Sequence, residues 1–153
     1  MITVVGNGRD KFTEYGYQKA TEAVKSIIDS NPNEEIASGD SPMRGIDYLA
    51  KTLTPPERYV NRPPNYATCN VGFERFRERN LQLAESRMVY VIVADNYPPE
   101  YKGKRLLYCY HCLKMNRNAS NHCKSGACWT AMMAIEKGNK AIWIIIPNKE
   151  VKI

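Results

Sequence analysis

Several kinds of chemistry are missing from this chain, and each absence narrows what it does. No apolar run approaches the roughly twenty residues of a membrane-spanning helix, and no signal-peptide pattern opens the sequence, so the expected location is the cytoplasm. Histidine is scarce. The two present, His111 and His122, both stand inside a cysteine cluster, which leaves no legible Ser-His or Cys-His catalytic pair elsewhere. Gly6-Asn-Gly8 is not followed by a third glycine at position 11, which is Lys11, so the dinucleotide-binding fingerprint is incomplete. No composition shift or linker divides the 153 residues, and a single domain over 1–153 is expected.

What is present alternates between two periodicities. Met1 to Gly6 reads as a short apolar strand, followed by the polar turn Asn7 to Asp10. Tyr17, Ala20, Val24, Ile27 and Ile28 share one helical face, and the Asp29 to Asn33 cluster ends that helix. Glu35 to Ser38 is a second strand, and Ile46, Leu49, Ala50 and Leu53 mark a second helix closed by Thr54-Pro-Pro56. Arg58 to Val60 suits a short edge strand, and Asn61 to Asn70 with its proline pair suits a loop. Phe73, Phe76, Leu83 and Ala84 line a third helix leading into the strand Met88 to Val93. In the last stretch Gly126 opens a helix with Cys128, Ala131, Met132 and Ile135 on one face. Gly138 stops it, and Ala141 to Ile146 runs uninterrupted and apolar, like a strand covered on both faces. This order predicts an α/β, Rossmann-like three-layer fold with a mainly parallel sheet of about five strands. Ligands of such sheets bind beyond the carboxyl ends of the strands, so the loops at 6–10, 38–45, 94–97 and 124–127 should share one rim.

Residues 98–123 break the alternation and show neither periodicity, as an insertion with its own local organiser would. Four of the chain's five cysteines fall between 109 and 128. Cys109-Tyr-His-Cys112 puts two thiols on one turn, half of a tetrahedral zinc site, and a second pair ten or more residues on completes it. The preferred ligands are Cys109, Cys112, Cys123 and Cys128, with His122 or His111 as substitutes, holding a structural zinc. Disulfides, a redox pair and free thiols stand as alternatives. The redox reading is disfavoured because such a motif normally opens a helix. Cys69 stands apart as a small buried residue.

The formal charge of +6 favours an anionic partner, a nucleotide or nucleic acid, with the excess read as spread along the chain. Ser38-Gly39 followed by Arg44-Gly45-Ile-Asp47 offers main-chain N–H groups and a guanidinium to phosphate, with Asp47 available to cap a helix or bind a ribose hydroxyl. The Ser125-Gly126 turn at a helix N-terminus is a second anion-favouring element. Arg9, Arg44 and Arg79 are read as phosphate binders. An exposed apolar helix face makes a homodimer an expectation.

Three segments carry a resemblance: Ile2-Thr-Val-Val-Gly-Asn-Gly-Arg9, Ser38-Gly-Asp-Ser-Pro-Met-Arg-Gly-Ile-Asp47 with Leu49-Ala50 behind it, and Ser125-Gly126 through Pro147. In this order and spacing the chain resembles the SLOG superfamily, the Rossmann-like group that includes Smf/DprA and the Lonely Guy phosphoribohydrolases. The small YspA-like branch looks closest, through the Arg79-Asn80 pair before the strand that ends near Asp95. The resemblance implies a nucleotide or nucleotide-derived ligand at the strand ends, held by Gly6, Asn7, Gly8, Arg9, Ser38, Gly39, Asp40, Arg44, Gly45, Asp47, Arg79, Asn80, Ser125 and Gly126. It also brings two alternatives, a single-stranded-DNA-binding protein similar to DprA and a nucleotide N-glycosidic hydrolase. The Lonely Guy Gly-Thr-x-x-Glu loop is replaced here by Ser125-Gly-Ala-Cys-Trp-Thr130, and Glu136 lies too far along the helix to stand in, so the expectation leans away from an enzyme.

Overall fold

The structure is a computed structural model that describes residues 1–63 and 72–150, with the backbone alone for 72–75. Five strands, β1 (Ile2–Gly6), β2 (Ile36–Ser38), β3 (Tyr59–Asn61), β4 (Met88–Ala94) and β5 (Lys140–Ile146), form one sheet. All pairings are parallel and the strand order is β3-β2-β1-β4-β5. Helices α1 (Glu14–Ser30) and α2 (Ile46–Leu53) cover one face, and α3 (Gly72–Leu83), α4 (Tyr110–Lys114) and α5 (Gly126–Glu136) cover the other. The fold is therefore the expected Rossmann-like α/β sandwich, with the strand order reversing direction between β1 and β4.

Alternation along the strands divides the core. Ile2 and Val4 of β1 and Ile92 and Ala94 of β4 face α1 and α2, whereas Val5, Val89, Val91 and Val93 face α3 and α5. Helix α1 starts where Thr13 Oγ1 accepts from Gly16 N at 2.9 Å, and the same hydroxyl donates to Asn148 O at 2.7 Å, tying the cap to the segment after β5. Its buried side is the predicted one, with Ala20, Val24, Ile27 and Ile28. In α2, Ile46, Leu49 and Ala50 are buried with Leu53 packed against them, again as read from the spacing. Asn61, expected to open a loop over 61–70, instead ends β3, and the rest of that loop beyond Pro63, with Cys69 and the Phe73 side chain, lies outside the described residues.

Three expectations need correction. Residues 98–123 are not wholly irregular, because Cys109 sits at the N-terminal cap position of α4; the Cys-x-x-Cys does open a helix, one too short for periodicity to reveal. The buried side of α5 is Ala127, Thr130, Ala131 and Ala134 with Cys128, while Met132 is half-buried and Ile135 exposed. The small alanines let α5 lie close on β4, and that close approach rotates the larger residues outward. Finally β5 is an edge strand covered incompletely, although its sequence is that of a central one.

Candidate functional site

The cysteine cluster is the best-defined chemical feature. Cys109, Cys112, His122 and Cys128 are all buried, and their three Sγ atoms and one imidazole nitrogen lie within 4.8 Å of one another. Cys112 Sγ is 3.4 Å and Cys128 Sγ 3.7 Å from His122 Nε2. A tetrahedron with bonds of about 2.3 Å to sulfur and 2.0–2.1 Å to nitrogen has S···N edges of about 3.6 Å, close to these two separations. None of these three cysteines, nor Cys123, is in a disulfide.

Local hydrogen bonds explain how the sequence brings these groups together. Cys109 N donates to Ala119 O, Leu113 N to Cys109 O and Arg117 N to Cys112 O, closing a compact knuckle whose Asn116 takes a positive φ of 56°. Cys128 comes from the first turn of α5, so the cluster joins the insertion to the main fold. His122 Nδ1 pairs with Asn121 Oδ1 at 2.6 Å, which holds the ring so that Nε2 faces the sulfurs, the kind of contact that orients histidine ligands in metal sites. Trp143 Nε1 donates to Cys128 Sγ at 3.4 Å from β5.

The electrostatics of the cluster are compatible with a bound cation. Hydrogen bonds from Cys112 and Cys128 hold the Cys109 thiol well below its ordinary range, while hydrogen bonds to Cys109 and Cys112, together with burial, push Cys128 far up. One thiolate is thus favoured and a second resisted, unless a metal supplies positive charge. Burial pulls His122 down, but hydrogen bonds to Cys109 and Cys112 and their charge raise it to about 9.

Cys123, one of the four preferred ligands, is not in the cluster. Its N–H donates to Ala94 O at 2.8 Å, and its side chain enters the core on the α1 side beside Phe12 and Ile146. Burial there raises the thiol to about 12. Of the two histidine substitutes His122 joins the thiols, whereas His111, buried on α4, leaves Nδ1 without a hydrogen-bond partner and is not among the clustered donors.

The strand-end rim is assembled, but most of its predicted side chains are occupied by the protein itself. Arg9 N donates to Met43 O and Ile46 N to Asn7 O, joining the loops after β1 and β2. Asn7 is buried and bridges three segments: Oδ1 accepts from Ala94 N at 2.8 Å, and Nδ2 donates to Lys124 O at 3.3 Å. Arg9 reaches Phe12 O and Glu14 and lies over the Tyr17 ring. Ser38 Oγ pairs with Tyr59 Oη at 2.6 Å, and Arg79 spans Gly39 O and Asn80 Oδ1. Asp40 meets Lys51 and Asn61. Asp47 Oδ2 accepts from Ser41 N at 3.0 Å and lies 4.0 Å from Arg79, and burial raises its carboxyl to about 6 although Arg79 opposes the rise. Ser125 Oγ accepts from Ala127 N.

Two glycines are dictated by close approach. A Cβ on Gly6 would fall 1.9 Å from Ile92 O, and one on Gly45, at φ +64°, would fall 2.3 Å from Asn7 O. Gly8 caps a short 3-10 turn, and Gly126 opens onto free space. Charged side chains at the rim also include Arg44, exposed above the Tyr48 ring, Lys124, whose Nζ is 5.2 Å from the Tyr110 ring, and the exposed Asp10. A cleft of about 250 Å³ lies beyond the ends of β4 and β5, between Thr13, the segment Asp95 to Pro99, Arg105 and Asn148. Apart from the loop at Asp95, sequence reasoning missed this wall; Asn148, which bonds Thr13 N, Lys11 O and Asn96 O, carries no motif that announces it.

The charge is also more concentrated than expected. Residues 98–124 hold six basic side chains against Glu100 alone, five of the chain's six net positive charges. No family model matches the chain, and no curated protein shows detectable sequence similarity to it.

Proposed function

We propose that this is a SLOG-like, zinc-fastened Rossmannoid domain that binds a nucleotide-type anion at the carboxyl ends of its strands. The observation that carries the metal half is the buried set of three thiols and one imidazole. Soft thiolates with imidazole in a tetrahedral arrangement suit zinc, and four protein donors leave no open position for a reacting water, so the role is structural. Zinc here would fasten a polar 26-residue insertion to α5.

The ligand half rests on the convergence of the loops after β1 and β2 with the α5 N-terminus, and on two cations there, the exposed Arg44 and the half-buried Lys124. Because the arginines at 9 and 79 are engaged within the protein, phosphate recognition falls mainly to main-chain N–H groups and these two side chains. No carboxylate takes the position of the Lonely Guy glutamate in Ser125 to Thr130, which supports binding without glycosidic cleavage.

Calorimetry against a panel of nucleoside mono- and diphosphates tests the reading. At least one should bind, with Arg44→Ala weakening it roughly tenfold or more and leaving the circular dichroism spectrum intact, and no free base should appear. A panel with no binder removes the nucleotide reading while leaving the metal reading standing. The basic insertion with exposed Tyr108 and Tyr110 favours a second reading, single-stranded nucleic acid. Length-dependent oligonucleotide capture that falls steeply with salt would select it.

A further inference from the structure

Large apolar side chains are exposed unevenly over the molecule. Leu107 is 90%, Tyr108 51%, Tyr110 42% and Leu113 56% exposed, so four of them crowd into seven consecutive residues of the insertion. The cysteine cluster is the cause. Cys109, His111 and Cys112 occupy the inner side of α4 and the residue before it, which leaves Tyr110 and Leu113, three positions apart on that short helix, on its outer side with Lys114. Lys102, Lys104 and Lys114 flank this apolar tip in sequence, are exposed, and make no ion pair or hydrogen bond among the described residues. The arginines of the same stretch are engaged within the protein: Arg105 donates to the carbonyls of Pro98 and Pro99, and Arg117 lies over the Trp143 ring.

We infer that this tip docks on an anionic membrane surface, its leucines and tyrosines entering the boundary between headgroups and acyl chains while the lysines stay among the headgroups. Charge complementarity sets the sign of the partner, because residues 98–124 hold six basic side chains against Glu100 alone. The leucines set its medium. Leu107, the most exposed of the four, and Leu113 have no ring face to stack on a nucleobase, whereas acyl chains take both out of water. Tyr108 and Tyr110 join an apolar ring to a hydroxyl, the combination that favours the interfacial layer. The lysines set the kind of recognition. Free ammonium groups on flexible stems suit a fluid surface with no fixed pattern of acceptors, while the arginine forks that would read individual phosphates or carboxylates are occupied. Attachment is peripheral: no helix among the described residues is long and apolar enough to cross a membrane. This gives the insertion a partner distinct from the ligand at the strand-end rim.

Co-sedimentation of the zinc-replete protein with vesicles tests this, comparing phosphatidylcholine alone with phosphatidylcholine of which about a third is replaced by phosphatidylserine. The protein should bind the anionic vesicles roughly tenfold or more tightly than the neutral ones. Leu107→Ser with Leu113→Ser should weaken that binding by roughly tenfold or more, and so should Lys102→Glu with Lys104→Glu. Both variants should keep the far-ultraviolet spectrum and zinc content of the parent, since every changed side chain is exposed. Ile135→Ser, at an exposed apolar position on α5, should bind vesicles as the parent does. Absence of binding to the anionic vesicles, or binding indifferent to the leucine changes, would overturn the proposal. So would capture of a single-stranded oligonucleotide that is lost in the leucine variant, which would assign the tip to nucleic acid. None of these outcomes bears on nucleotide binding at the rim.

Discussion

His122 and Cys123 are chain neighbours, yet one faces the sulfurs beside α4 and α5 and the other enters the core beside α1. A hydrogen bond from Cys123 N to Ala94 O holds Cys123 at the end of β4, and its side chain joins the core on the α1 side of the sheet, away from the thiols on the other. Cysteine count and spacing predicted a four-sulfur site, but the geometry of that single step admits only one of the pair. Cys123→Ser should therefore leave zinc content at one per chain, whereas His122→Ala should lower it; metal analysis of the purified variants distinguishes them. Asn121→Ala, which removes the acceptor that fixes the His122 ring, should lower zinc affinity about 10- to 100-fold in chelator competition. Asp47 gives a prediction of different sign from an ordinary ion-paired carboxylate. Its folded-state value of about 6 lies above the unfolded 3.8, so between these the folded state alone keeps the proton. Its contribution is complete below pH 4 and is lost as the pH rises to 6, on the order of 3 kcal/mol. Urea melts of wild type and Asp47→Asn should show that the difference in their stabilities changes over this window; a constant difference contradicts the assignment.

At the level of elements, the alternation of strand and helix was legible because apolar periodicity is long in α1, β1 and β4. Helix α4 was not legible: five residues hold scarcely more than one turn, and its buried positions, His111 and Cys112, are the same residues that suggested a metal loop. The register of α5 was misread by about one position. Its sequence is apolar nearly all round, so the pattern could not say that the alanines, and not Met132 and Ile135, would face β4. The glycine at 45 and the glycine at 126 separate backbone constraint from mere occurrence. Gly45→Ala must hold a positive φ with its Cβ against Asn7 O, and should cost upward of about 1 kcal/mol. Gly126→Ala meets nothing within 4 Å and stands in the first turn of a helix, so it should be neutral or stabilising by up to about 1 kcal/mol. Thermal or urea melts of the two variants check the contrast, and equal losses would contradict it.

On the scale of the whole molecule, the cluster ties together parts that lie far apart in sequence: the knuckle at 109–123, α5 through Cys128, and β5 through the Trp143 hydrogen bond. Removing the metal should loosen residues 98–123 first and leave the sheet largely protected, since β1 packs on α2 and α5 and β4 packs on α5 and between two strands. Hydrogen exchange before and after chelation reads this directly, and simultaneous loss of protection across β1 and β4 would contradict it. Acid should release the metal as the thiolates take up protons, so zinc affinity falls with falling pH. The central claim, a Cys3His zinc centre made by Cys109, Cys112, His122 and Cys128, is tested most directly by zinc-edge X-ray absorption on the native protein. The account predicts three sulfurs at about 2.3 Å and one nitrogen at about 2.0–2.1 Å from a single zinc. A four-sulfur shell, or freshly isolated protein without bound metal and with these cysteines in disulfides, would contradict it.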